Sequence, residues 1–139
     1  LVSGGLVLAA RGILTIPALF AAALEPAIGA VYLAGGLVSY RSIMETEEYL
    51  GGNYHNAGNN ETDLFGAFVP GLLKHTDLPE SAASIAPRRI TLAGAVDAAG
   101  KLLDAAEVAR VYAAAGSVQV LPEGAWSAAA LASAAGAGA

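Results

Sequence analysis

The chain has no cysteine, which excludes a disulfide framework and any thiolate metal site. Histidine is nearly as scarce. His55 and His75 are the only two, and a metal centre needs three or four convergent ligands, so no metal or cofactor is expected. Charge is sparse too: 14% of residues are charged, against an average of about 25%. Seven basic residues face twelve acidic ones, the net charge is −5, and Arg88-Arg89 is the only basic pair. Nucleic-acid phosphates are held by clustered lysine and arginine, so nucleic acid is excluded as a partner. No uncharged run reaches the ~20 residues of a spanning helix. Glu25-Pro26 breaks the first such run, Gly12 to Leu24, and Gly35-Gly36 interrupts the second, Ala27 to Tyr40. A buried helix followed by a buried strand is expected, with no membrane as partner. No basic n-region precedes an apolar h-region, so no signal peptide is read. Neither Gly4-Gly5 nor Gly51-Gly52 leads into Gly-Lys-Ser/Thr, so neither is a phosphate loop.

Apolar sequence is abundant. Of 139 residues, 55% are hydrophobic, enough to bury a core in one domain over residues 1–135. Residues 136–139 are low-complexity and expected to fray. Leu6 to Ala10 reads as a short buried strand that runs through Arg11-Gly12 into a helix over Ile13 to Leu24. Pro17 lies in the first turns of that helix, where proline is tolerated, and Glu25-Pro26 ends it. Ile28 to Ala34 is a second strand. Tyr40 to Pro70 is polar and aperiodic: a helical turn near Ile43 to Tyr49, then a long loop. Asp77-Leu78-Pro79-Glu80 opens a helix that Pro87 ends. Arg89 to Gly94 is a third strand. Asp104 to Ala115 is a helix with a broad apolar stripe (Ala106, Val108, Ala109, Val111, Tyr112), capped by Gly116. Ser117 to Leu121 is a fourth strand, and Trp126 to Ala135 a short last helix. Strands alternating with helices predict an α/β fold, a mostly parallel sheet with flanking helices.

Open parallel sheets gather function at the C-terminal ends of their strands. Here those ends hold Arg11-Gly12, Gly35 to Tyr40, Gly94 to Asp97 and Pro122 to Trp126. The helix ending Ala-Ala-Ala-Leu-Glu-Pro (Ala21 to Pro26) is followed by a strand, then Gly71 to Pro79, Ile85 to Ile90, a strand and Asp97. This order, over roughly residues 6 to 126, resembles the C-terminal half of α/β-hydrolases, closest to acetyl xylan esterase-like and prolyl-oligopeptidase-like serine hydrolases. The resemblance implies a partial α/β-hydrolase fold, ester or peptide hydrolysis, and a carbohydrate ester or small ester as partner. It also implies a triad of serine, acid and histidine in that order, in which histidine takes the serine proton and the acid orients the histidine. The Gly-x-Ser-x-Gly elbow would fall on Ala10-Arg11-Gly12-Ile13-Leu14, which puts Gly12 where serine belongs. Asp97 matches the acid. No histidine stands near Glu123 to Trp126, where the third member is expected.

Each candidate has a plainer reading. Asp97 is either a triad acid or, as favoured here, a turn aspartate bonded to its own loop. Ser3, in Ser3-Gly4-Gly5, imitates half an elbow but lacks the strand that would present it. His55 and His75 read as solvated or structural. Arg11 is expected to pair with an acid such as Asp97, and Arg88-Arg89 with Asp77. Glu45, Glu47 and Glu48 read as a solvated face rather than an acid–base cluster. Three functional expectations follow: a degenerate esterase-related domain; the C-terminal part of an active serine esterase or peptidase with its nucleophile and histidine elsewhere; and a non-enzymatic membrane-associated segment, supported by hydropathy alone. Strands that precede the elbow in such folds are expected from additional N-terminal sequence, because an open sheet edge is a liability.

Overall fold

The computed structural model describes residues 6–47, 64–116 and 118–136. Its centre is a four-stranded sheet: β1 (Leu6–Arg11), β2 (Ile28–Ala34), β3 (Arg89–Ala93) and β4 (Val118–Leu121). The strands lie in chain order and every pair is parallel. The α/β expectation is met. Parallel neighbours need crossovers, and helices supply them. The helices are α1 (Thr15–Leu24), α2 (Tyr40–Glu45), α3 (Leu78–Ala83), α4 (Ala105–Val111) and α5 (Ala128–Gly136). Register aligns the strand ends, so Arg11 lies beside Ala34, Ala34 beside Ala93, and Ala93 beside Leu121.

The two faces of the sheet carry unequal cores. On one face Leu8, Ala10, Val31, Leu33, Ile90 and Leu92 pack against α1, α3 and α4 through Leu19, Ala22, Leu78, Ala82 and Val108. On the other, Tyr32, Ala34 and Ala93 pack against Leu121 and three α5 residues, Ala130, Leu131 and Ala134. The pattern follows from the two-residue alternation of strands.

Helix ends follow their local chemistry. Glu25 caps the end of α1, and its Oε1 accepts from Ala27 N at 2.8 Å. Asp77 and Glu80 form a reciprocal capping box at the start of α3, with Pro79 in the first turn. Asp104 caps α4 by accepting from Ala106 N. The broad apolar stripe expected on α4 narrows on folding. Val108 and Tyr112 are buried, while Ala106, Ala109 and Val111 are exposed. The helix covers only the β4 side of the sheet, so one row of its side chains reaches the core. α1 begins two residues later than expected, after a tight 3-10 turn over Gly12–Leu14 in which Thr15 Oγ1 donates to Gly12 O at 2.7 Å. α2 is Tyr40–Glu45, earlier than the turn read near Ile43 to Tyr49, because Ser39 caps it through Ser42 N.

Candidate site at the C-terminal ends of the strands

Three strands end in the same way. The residue after β1 is Gly12, after β2 Gly35 and after β3 Gly94, with φ of 59°, 60° and 60°. Each bends the chain off the sheet in a conformation that glycine adopts without a Cβ penalty. Hydrogen bonds tie the later two to their neighbours: Gly35 N donates to Ala93 O at 2.8 Å, and Gly94 N to Leu121 O at 2.9 Å. A Cβ on Gly94 would stand 2.2 Å from the backbone nitrogen of Gly124, so the loops after β3 and β4 meet here in direct backbone contact.

Gly12 therefore occupies a strand–turn–helix corner of the shape on which α/β-hydrolases mount serine. It brings no nucleophile to it. Arg11 precedes it on the face opposite Ala10, by strand alternation. Arg11 is exposed, and its guanidinium meets no carboxylate among the described residues, so the expected pairing with Asp97 does not form. At this corner an open arginine in water costs less than a desolvated pair.

Asp97 is half-buried in the loop beyond β3. Its Oδ1 accepts from Ala99 N and Lys101 N, both at 2.9 Å, and its backbone carbonyl accepts from Gly100 N at 3.0 Å. This carboxylate organises its own turn, the arrangement the plainer reading expected. None of the residues given after β4 is a histidine.

Beyond β4 the chain returns over the sheet. Tyr32, buried at 1% exposure, donates its hydroxyl to Ala125 O at 2.6 Å, and its ring lies 6.4 Å from that of Trp126. Burial raises the Tyr32 phenol above its ordinary pKa, which holds it neutral as a donor. The segment after β4 is thus tied to β2 by one hydrogen bond and one aromatic contact.

Sequence reasoning missed two anchors. Asp77, 5% exposed, joins two helices: its carboxylate accepts from Leu78 N at 2.6 Å, Tyr40 N at 2.7 Å and Arg41 N at 3.1 Å. The arginine expected to bridge to it does something else. Arg88 reaches four carbonyls, those of Ile85, Ala22, Glu25 and Ile28, at 2.8–3.1 Å, and so clasps the end of α1 to the start of β2. Arg89 donates to Ala134 O of α5 at 2.7 Å. A carboxylate satisfied by backbone N–H groups has no need of a cation, and arginines satisfied by carbonyls have no need of an anion. The capping signature of Asp77 was legible; its second helix, 37 residues earlier, was not.

Beside the Gly12 corner lies an open apolar groove of about 460 Å³, lined on one side by Ile13, Leu14, Ile16, Pro17 and Phe20 and on the other by Gly66 to Val69. No charged side chain lines it. His75, Glu45 and Glu47 are exposed. Ser3, His55, Glu48 and most of the long loop lie outside the described residues. No group of three metal-ligating side chains occurs among the described residues, and none of their helices is long and apolar enough to cross a membrane. No protein-family model, curated protein or solved structure matches the chain.

Proposed function

We propose that this chain is an α/β-hydrolase-fold domain related to carboxylic-ester hydrolases of the acetyl xylan type, with a catalytic triad that has degenerated. The observation that carries this reading is the Gly12 corner: a parallel strand turning through a left-handed residue into a helix, at the position that the sequence resemblance gives to serine. The order of the strands supports the fold, since four consecutive parallel strands in chain order suit the second half of such a sheet. The chemistry supports degeneracy. Acyl transfer needs a nucleophile and a base. Gly12 has no side chain, and Asp97 spends its carboxylate on Ala99 and Lys101. What remains is a scaffold with an apolar groove next to the corner, fit to hold a small ester or its acyl group without cleaving it.

The test is hydrolysis of p-nitrophenyl acetate by the purified chain and by Asp97→Asn. Background rates in both are expected. Turnover that falls steeply in Asp97→Asn would overturn the reading, because Asp97 would then be orienting a base.

A further inference from the structure

The apolar groove beside the Gly12 corner is a built cleft with two anchored walls. Its near wall is one face of α1 and of the turn that leads into it. Ile13, Leu14, Pro17 and Phe20 recur there at helical spacing, and Ile16, 3% exposed, lies deepest. Its far wall, residues 66–69, is fastened from behind. The Tyr40 hydroxyl donates to Ala67 O, and Tyr40 N in turn donates to Asp77 Oδ1 at 2.7 Å. Ala67 and Phe68 also pack against the large core. Both walls are thus in place before anything binds. A preformed cleft of about 460 Å³ falls within the range of small-molecule sites, about 300–1,000 Å³.

The lining decides what can fill it. Every described side chain on the walls is aliphatic, aromatic or a bare glycine, and none is charged or forms a hydrogen bond through its side chain. A sugar ring carries hydroxyls that would lose their water there without replacement partners. A carboxylate would fare no better. Arg11, next to the corner, lies on the opposite face of the sheet from α1 by strand alternation, and the chain has a net charge of −5. An uncharged alkyl chain meets neither cost. Length follows from geometry: Ile13 to Phe20 spans roughly 10 Å at the helical rise of ~1.5 Å per residue. Carbon–carbon bonds of ~1.5 Å in a zigzag advance about 1.3 Å each, so about eight carbons cover that distance. An acetyl group would fill only the end beside Gly12.

We propose that the groove is an acyl-chain subsite for neutral esters with straight chains of about six to ten carbons, the carbonyl at the Gly12 corner and the tail along α1 towards Phe20. This subsite rests on the reading of the corner as a former ester site, and it narrows the ligand from acetyl to medium-chain acyl groups.

Isothermal titration calorimetry of the full chain with methyl butanoate, hexanoate, octanoate and decanoate tests this, with sodium octanoate as the charged counterpart. One ester per chain is expected. Affinity is expected to rise about threefold to fourfold per methylene up to octanoate and to level off by decanoate. Sodium octanoate is expected to bind about tenfold more weakly than methyl octanoate. Leu14→Asp and Val69→Asp, on opposite lips and 63% and 51% exposed, are each expected to weaken methyl octanoate by about tenfold. Both positions face solvent, and Leu14 caps the start of α1, where aspartate is favoured, so the fold is kept. Leu24→Asp, on α1 but outside the groove and 85% exposed, is the control and is expected to bind as the parent chain does. Binding that does not saturate, affinity that climbs undiminished past decanoate, sodium octanoate held as tightly as its ester, or indifference to both lip substitutions would each overturn the subsite. The functional reading fails differently. Methyl octanoate bound and hydrolysed would overturn degeneracy and leave the subsite standing. Ester neither bound nor hydrolysed would overturn the subsite and leave degeneracy standing.

Discussion

Replacing Arg88 strips four carbonyl oxygens of a donor they share. Three of these, of Ala22, Glu25 and Ile28, belong to the end of α1 and the start of β2, 60 to 66 residues earlier, and no other side chain among the described residues reaches them. Hydrogen bonds from a charged donor contribute about 1.5–3 kcal/mol, and bare carbonyls add a desolvation penalty. Arg88→Ala is expected to lower stability by roughly 2–3 kcal/mol in urea unfolding. Arg88→Lys is expected to recover little, because an ammonium is a compact point donor and cannot span the fork. Tyr112 makes a second prediction. It is 4% exposed, its hydroxyl donates to Val38 O at 2.9 Å, and burial, then the charges of Asp77 and Glu80, raise its pKa far above the ordinary tyrosine value. The unfolded phenol ionises near pH 10 while the folded one stays neutral. Its contribution is therefore whole below about pH 10 and is lost as pH rises beyond it. Urea midpoints measured between pH 8 and 11 are expected to fall above about pH 10, and Tyr112→Phe to flatten that fall. Some slope persists in Tyr112→Phe, since Tyr32 and Tyr40 are also raised by burial.

Two left-handed glycines separate backbone strain from crowding at the level of the element. Gly116, after the turn that follows α4, has φ 65° and open space where a Cβ would stand. Gly94, after β3, has φ 60° and the Gly124 backbone in that space. Gly116→Ala is expected to cost only the strain, about 1–3 kcal/mol. Gly94→Ala is expected to cost more than about 3 kcal/mol, since two loops must also separate. Thermal unfolding of the pair checks the order. The elements themselves were largely legible in the sequence. β2 falls on the expected Ile28 to Ala34, because Pro26 and Gly35-Gly36 bracket an apolar run. α3 starts where Asp77, Pro79 and Glu80 say it should. The failures have two causes. The breadth of the α4 stripe and the partners of Arg88 are decided by residues distant in sequence, whereas the late start of α1 and the early start of α2 come from local bonds, Thr15 to Gly12 and Ser42 to Ser39, that the pattern of apolar residues does not announce. At the site, the absence of serine and histidine was legible, and so was the turn role of Asp97, because both depend on residue identity and local spacing. The exposure of Arg11 was not, because it depends on which face of the sheet is covered at that corner.

The whole molecule rests on two cores of different size, and this asymmetry sets what α5 does. The α1–α3–α4 face holds the large core. The α5 face is a thin cover: Ala130, Leu131 and Ala134 over Tyr32, Ala34 and Ala93, fastened by Arg89 to Ala134 O. Small side chains bring the helix close to the sheet but bury little area each, at about 25 cal/mol per Å². Removing α5 by ending the chain after Ser127 should therefore leave the large core in place while baring one sheet face. Tyr32 keeps its bond to Ala125 O in that shorter chain and loses its helical cover. The expected result is a far-UV spectrum diminished only by the lost helix, a lower melting temperature, and binding of the apolar dye ANS that the full chain does not show. If the shorter chain instead lost its sheet signal altogether, the thin face would be indispensable to folding, and the division into a primary and a secondary core would fail. If it melted like the full chain and bound no dye, α5 would contribute nothing to burial, against its packing on Ala34 and Ala93, which are 1% and 0% exposed beneath it.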